Sequence, residues 1–295
     1  MHWHLAGRKV VLVDADPQWS VVRLAERQRA LAMQSSGAWR REIAKHVEPL
    51  EFASTSPCRI RWRSVEAGPQ RDARAELVTR VLADLFEGPV VVVASSLSLA
   101  DDELFAEERA HVRAAVAKRR AEFATARVLA RRALAALGAP PVALVPAPDR
   151  APVWPPGYVG SISHCADHCA VAVARSRDVS SLGLDVEDLR ELDPSMRDLV
   201  LTPAERRWLR AQPDALQPML PIVIFSAKEA YYKCQYPITR GFLDFQDVEL
   251  TIAWAAGTFE ARVVREGWPA AIARLAGRFL IADGRVSCGV TLAKG

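Results

Sequence analysis

The chain is predicted to be α+β with antiparallel strand pairing. Two observations carry this: helical and strand-like patterns follow one another in runs, and the strands of the second half lie at hairpin spacing. Residues 9–13 read as a strand, 21–45 and 72–86 as helices, and 90–95, after Pro89, as a buried strand. A long helical pattern runs over 102–137, opened by Asp101 and stopped by Gly138 and Pro140. Residues 139–157 carry seven prolines and read as an extended connector. Strands follow at 158–163, 170–174 and 182–186, the first two joined by a tight polar loop at 163–168. Next come helices at 203–210 and from about 222 until Pro237 stops it, then strands at 246–252, 258–264, 279–282 and 286–292.

At 295 residues the chain can bury one large core or two modest lobes. Half of it is apolar and a quarter charged, an ordinary soluble composition. The longest apolar run, 89–94, is far short of the roughly 20 residues of a membrane span, and Asp14 and Asp16 argue against a signal peptide. Cys58, Cys165, Cys169, Cys234 and Cys288 are too few and too scattered for a disulfide framework, and read as reduced thiols of a cytoplasmic protein. The net charge of +4 is mild, but Lys118, Arg119, Arg120, Arg127, Arg131 and Arg132 crowd one helix, as a solvated face would or as a site for an anion would. On that helix Val112, Val116, Phe123, Ala130, Leu134 and Leu137 form one apolar stripe. Arg127 falls on its edge and Arg119 on its other flank. A guanidinium beside a core is costly unless it snorkels or meets an anion.

Three constellations bear on chemistry. In Gly183-Leu184-Asp185-Val186-Glu187 the two carboxylates share one strand face about 7 Å apart, with Leu182, Leu184 and Val186 on the other. Like charges so placed repel unless a cation lies between them, and oxygen-only ligation suits magnesium; a strand edge leaning into solvent would serve as well. Glu229 and Lys233 are i, i+4 partners on one helix, with Lys228 beside them. That pattern is an ordinary stabilising pair or, with Phe225, Ala227, Ala230 and Tyr231 around it, part of a half-buried site for a diphosphate and its metal. In Gly160-Ser161-Ile162-Ser163-His164 a glycine permits close approach and the Ser-His pair can donate to a phosphate. A Ser-His nucleophile is disfavoured because adjacent strand residues diverge. Zinc at His164, Cys165, His168 and Cys169 is disfavoured because four ligands within six residues close poorly round one ion. A structural histidine stays open.

Taken in order, residues 118–127, Trp154-Pro155-x-Gly157, Val159 to Cys165, Leu182 to Glu187 and Phe225 to Lys233 resemble the 4′-phosphopantetheinyl transferases. The likeness is to the monomeric, two-lobed group and its enterobactin-synthesis subtype, and it covers roughly residues 88–250. It implies a pseudo-twofold α+β fold, each lobe a small antiparallel sheet packed on a long helix. The lobes would span 88–180 and 181–295, behind an extension of unknown role at 1–87. It implies that Asp185, Glu187 and Glu229 hold Mg2+, or Mn2+ in its place, with the diphosphate of coenzyme A. His164 and Ser163 would meet the 3′-phosphate with Arg119 and Arg127, and Arg150 the same anionic end, while Lys228 and Lys233 neutralise the diphosphate. The serine of an apo acyl- or peptidyl-carrier protein would then attack the β-phosphorus and release 3′,5′-ADP, its proton passing to Glu229 directly or through a bound water, with Lys233 assisting. The partners implied are carrier domains of polyketide, fatty-acid or nonribosomal peptide synthases, with no nucleic acid and no membrane, served by a cytoplasmic monomer. The chain departs from the pattern at Ala126, where such proteins often have glycine, and in its first 85 or so residues. A non-catalytic coenzyme A-binding protein is the alternative, disfavoured by the three acids together. Nucleic-acid binding by the arginine-rich helix would require exposed aromatics, whereas Phe123 lies on the core side.

Overall fold

The computed structural model describes residues 2–5, 8–11, 81–97 and 101–294, the first two stretches through their backbone. Strands β1 (His2–Leu5) and β2 (Arg8–Val11) form an antiparallel pair, which meets part of the strand expected at 9–13. The helix expected at 21–45 and most of that at 72–86 lie outside the described residues; 81–83 are helical.

The first lobe is an antiparallel sheet of β3 (Val91–Ser96), β4 (Tyr158–His164) and β5 (His168–Arg175), in the order β3-β5-β4. The second is an antiparallel sheet of β6 (Val179–Asp188), β7 (Val248–Ala253), β8 (Thr258–Val263), β9 (Arg274–Ala282) and β10 (Arg285–Ala293), in the order β6-β10-β9-β8-β7. Of the helices α1 (Ala106–Val112), α2 (Ala117–Ala136), α3 (Pro194–Val200), α4 (Pro203–Arg210), α5 (Leu220–Thr239) and α6 (Ala270–Ala273), two dominate. Each lobe sets one 20-residue helix on its sheet, α2 on the first and α5 on the second. This is the α+β, two-lobed architecture the sequence predicts.

Residue size decides how the lobes meet. Along β5, Cys169, Val171 and Val173 turn to α2 and pack with Leu129, Leu134 and Ile162. The alternate residues, Ala170, Ala172 and Ala174, face the other way and pack with Leu182, Leu184 and Val186 of β6. The three alanines leave room for β6 to approach, and burial of each leucine or valine there contributes about 1.5–3 kcal/mol. Leu82, Leu85 and Phe86 join the same core. Leu85 lies so close to the second sheet that a β-carbon on Gly289 would stand 2.7 Å from its own. Glu87 N donates to Thr291 Oγ1 at 3.2 Å. Residues 82–87, part of the extension expected at 1–87, pack in the seam between the lobes.

Three expectations differ in detail. The helix expected over 102–137 is two, broken at 113–116, where Ala115 N bonds back to Val112 O. Val116, extrapolated into the apolar stripe, is the extended N-cap of α2 and 59% exposed, while Phe123, Ala130 and Leu134 beyond the break are buried. Pro237 does not stop α5: in the last turn a proline removes only one late hydrogen bond, and the helix ends at Arg240, whose φ is 54°. The sequence reading lacked α3, although Asp193 at its N-cap and Pro194 behind it are start signals.

Candidate active site at the seam between the lobes

Strands β4 and β6 are edge strands of different sheets, and two serines join them. Leu184 N donates to Ser161 Oγ at 3.0 Å, and Val186 N donates to Ser163 Oγ at 3.1 Å. Alternate residues of β4 thus meet alternate residues of β6, as a strand's period of two requires. Trp154 closes the outer side, its ring seated where a β-carbon on Gly160 would fall.

On its other face β6 carries Ser181, Gly183, Asp185 and Glu187 toward α5. The helix comes down onto Gly183: a β-carbon there would stand 1.8 Å from Ala230 O and 2.7 Å from Cys234 N. Only glycine permits that approach. Ser181 Oγ donates to Cys234 O at 2.6 Å, so from Ser181 to Glu187 the strand passes back along the helix from 234 toward 226. Lys233 meets Asp185 in this register, and Glu229 lies one turn earlier on the helix.

All four charges are buried: Asp185, Glu187, Glu229 and Lys233. Lys233 Nζ donates to Asp185 Oδ1 at 2.7 Å and to Ser163 Oγ at 3.2 Å, and Ser163 Oγ donates to Asp185 Oδ1 at 2.9 Å. Asp185 Oδ2, equally buried, has no hydrogen-bond partner. A buried carboxylate oxygen left so is costly, and Glu187 on the same strand and Glu229 on the helix packed against it are buried carboxylates too. An oxygen-rich, hard-cation ligand set is the chemistry these donors fit. The charges reach Cys288, paired with Asp185 on β10; its thiol is pushed up, first by burial and then by Asp185 and Glu187, against a lowering bond with Ser226. Asp185, Glu187 and Glu229 do not form a group whose ligand atoms all lie within 4.8 Å of one another. Among the described residues, the group whose ligand atoms all lie within 4.8 Å of one another is Cys165, Asp167 and Asp188.

That other group is held by a cation of the protein's own. Arg285 of β10 donates to Asp167 Oδ1 at 2.7 Å across the seam. Burial pushes the thiols of Cys165 and Cys169 up to about 12 and lowers His168 to about 4. His164, Cys165, His168 and Cys169 do not gather three ligand atoms within 4.8 Å of one another, so the geometry gives the zinc alternative no support.

The basic residues divide. Arg127 is buried on α2, its Nε donating to Leu144 O at 2.6 Å and its guanidinium 4.1 Å from the centre of the Phe123 ring. Arg119 stands two turns earlier, near Glu122, a buried acid the sequence reading did not single out. His164 ends β4 opposite Cys169, and the Cys169 thiol feels the charges of both Arg127 and Lys233. Arg150, with φ of 68°, follows Asp149, which accepts from Tyr236 Oη at 2.9 Å and from Arg240 at 3.1 Å. Lys228 is turned away. Its Nζ donates to Val200 O, Glu205 Oε2 and Phe245 O, each at 2.8 Å, and so uses all three hydrogens inside the second lobe. The expectation that Lys228 neutralises a diphosphate is corrected accordingly. Its partner Glu205 was missed, although Thr202-Pro203-Ala204-Glu205 is a legible capping box.

Residues 107–174 match the model of the 4′-phosphopantetheinyl transferase N-terminal domain, and residues 181–282 that of the 4′-phosphopantetheinyl transferase superfamily. The chain is 43% identical over 197 residues to the 4′-phosphopantetheinyl transferase Svp of Streptomyces mobaraensis, covering 64% of this chain and 79% of that one. It is 36% identical over 195 residues to PptT of Mycobacterium tuberculosis (63% and 85%) and 33% identical over 150 residues to enterobactin synthase component D of Escherichia coli K12 (49% and 69%).

Proposed function

The chain belongs to the 4′-phosphopantetheinyl transferase superfamily, and from that premise we propose that it transfers the phosphopantetheine arm of coenzyme A to a serine of an apo acyl- or peptidyl-carrier protein, releasing 3′,5′-ADP. The observation that carries the reading is Asp185. It is buried at the seam, its Oδ1 is fixed by Ser163 and Lys233, and its Oδ2 has no protein partner.

In this reading Asp185, Glu187 and Glu229 hold Mg2+ or Mn2+. The ion when bound offsets the charge of the diphosphate as a Lewis acid. Lys233 contributes a fixed positive charge beside it; at an effective dielectric near 20, a cation 4 Å from a phosphate oxygen is worth about 4 kcal/mol. Arg127, held by Leu144 O and Phe123, Arg119 and His164 bind the 3′-phosphate from the first lobe, with Arg150 a further cation for the same anionic end. The carrier serine oxygen bonds to the β-phosphorus as the phosphoanhydride bond to 3′,5′-ADP breaks. Glu229 accepts the serine proton. Among the described residues no helix is long and apolar enough to cross a membrane; the enzyme is read as a cytoplasmic monomer serving synthase carriers.

Incubation with coenzyme A, Mg2+ and apo carrier proteins of both types, followed by intact-mass spectrometry, tests this. A carrier heavier by one phosphopantetheine arm is expected. Unchanged mass in every carrier, with folded enzyme that still binds coenzyme A, would leave a binding protein in its place.

A further inference from the structure

We propose that Ser163 is a positioning residue for Asp185, acting from the opposite lobe, and is not a ligand of the 3′-phosphate. The inference rests on the metal-dependent reading above and assigns one residue within it a different task.

A serine hydroxyl has one hydrogen to donate and two lone pairs to accept with. Three groups lie within bonding distance of Ser163 Oγ. Val186 N, at 3.1 Å, and Lys233 Nζ, at 3.2 Å, are donors and take the lone pairs. Asp185 Oδ1, at 2.9 Å, is an acceptor and takes the hydrogen. The hydroxyl is saturated, and nothing is left on it to donate to a phosphate. Residue 163 is itself buried.

The arrangement has a directional result. With Ser163 and Lys233 both on Oδ1, the carboxylate cannot rotate without breaking two hydrogen bonds, and Oδ2 is the oxygen presented to the ion. Outer groups that orient a ligand in this way typically change metal affinity 10–100-fold when removed. The anchoring strand differs from the strand that bears the ligand: β4 belongs to the first sheet, β6 to the second. The contact that packs β4 of one lobe against β6 of the other therefore also orients the ligand. Ser161 supplies an internal control. It makes the same kind of contact two residues earlier, but only with the Leu184 backbone, at 3.0 Å to N and 3.4 Å to O.

The test is Mn2+ binding to the full chain with saturating coenzyme A, read as loss of the free-ion electron paramagnetic resonance signal. Transfer rates with coenzyme A and 3′-dephospho-coenzyme A are measured beside it. Ser163→Ala is expected to weaken Mn2+ binding about tenfold and to lower transfer by the same factor with either substrate. Ser161→Ala, folded to the same circular dichroism signal, is expected to bind Mn2+ like the unaltered chain. Ser163→Thr, which keeps the hydroxyl, is expected to retain most of the affinity. Unchanged Mn2+ affinity in Ser163→Ala overturns the proposal. So does a penalty that appears with coenzyme A and vanishes with the dephospho form, the signature of a phosphate ligand. Should the unaltered chain transfer the arm without retaining Mn2+, the metal reading itself fails, and that result is distinct from either.

Discussion

Gly183 and Ala230 meet backbone to backbone, with 1.8 Å between the Ala230 carbonyl oxygen and the place a β-carbon on Gly183 would occupy. This contact sets the height of α5 above β6, and with it the reach of Lys233 toward Asp185. Gly183→Ala has no flexible side chain to displace, so the helix must move. We expect a loss of about 1–3 kcal/mol by urea denaturation, or more, and Mn2+ affinity that falls with it. A stable protein with unaltered affinity would show that the helix is not held at this point.

Lys233 and Asp185 are a buried pair, with side chains 5% and 3% exposed. Removing one member leaves the other charged in the interior. In EDTA, Lys233→Met is expected to cost about 3–5 kcal/mol, and adding Asp185→Asn should restore much of it. Strict additivity in this double-mutant cycle would contradict the pairing. Asp185→Asn alone strands Lys233 and is expected to destabilise as well; in the folded fraction it should lower transfer at least about a hundredfold, since an orienting group by itself is worth 10–100-fold.

Lys228 is also buried and paired, but with Glu205. Lys228→Met is expected to destabilise by about 3–5 kcal/mol through the stranded Glu205. In the folded fraction the KM for coenzyme A should stay within about twofold, because no substrate contact is lost. A large rise in KM with little change in stability would return Lys228 to the diphosphate.

His168 is held neutral by burial, its pKa lowered to about 4 against an ordinary 6.5. The unfolded chain takes up a proton near pH 6.5 and the folded chain only near 4, so between these values protons favour unfolding. Stability is expected to fall by up to about 3 kcal/mol from pH 7 to pH 4. Asp167, lowered by its bond with Arg285, adds a loss only below the usual carboxylate range. His168→Gln should remove the first part of the decline, measured by chemical denaturation across that range; a profile unaltered by the substitution would contradict the assignment.

Much of this site could be read from spacing. A period of two places Asp185 and Glu187 on one strand face, and a step of four places Glu229 and Lys233 on one helix face; both patterns appear in the structure. What spacing does not supply is the rotation of α5 on β6. Lys228 and Lys233 lie about 140° apart round the helix, and only the Gly183 contact decides that Lys233 faces the acids. Ser163 was legible as a polar strand end, but its partner is 22 residues away on another sheet. Glu205 and α3 carry local signals in the sequence, a capping box and an Asp-Pro start.

The most direct measurement is the anomalous difference map of crystals grown with Mn2+ and coenzyme A. The account predicts one strong peak at about 2.1 Å from oxygens of Asp185, Glu187 and Glu229, beside the diphosphate. A peak among Cys165, Asp167 and Asp188, or a ligand shell that omits Asp185, would contradict it.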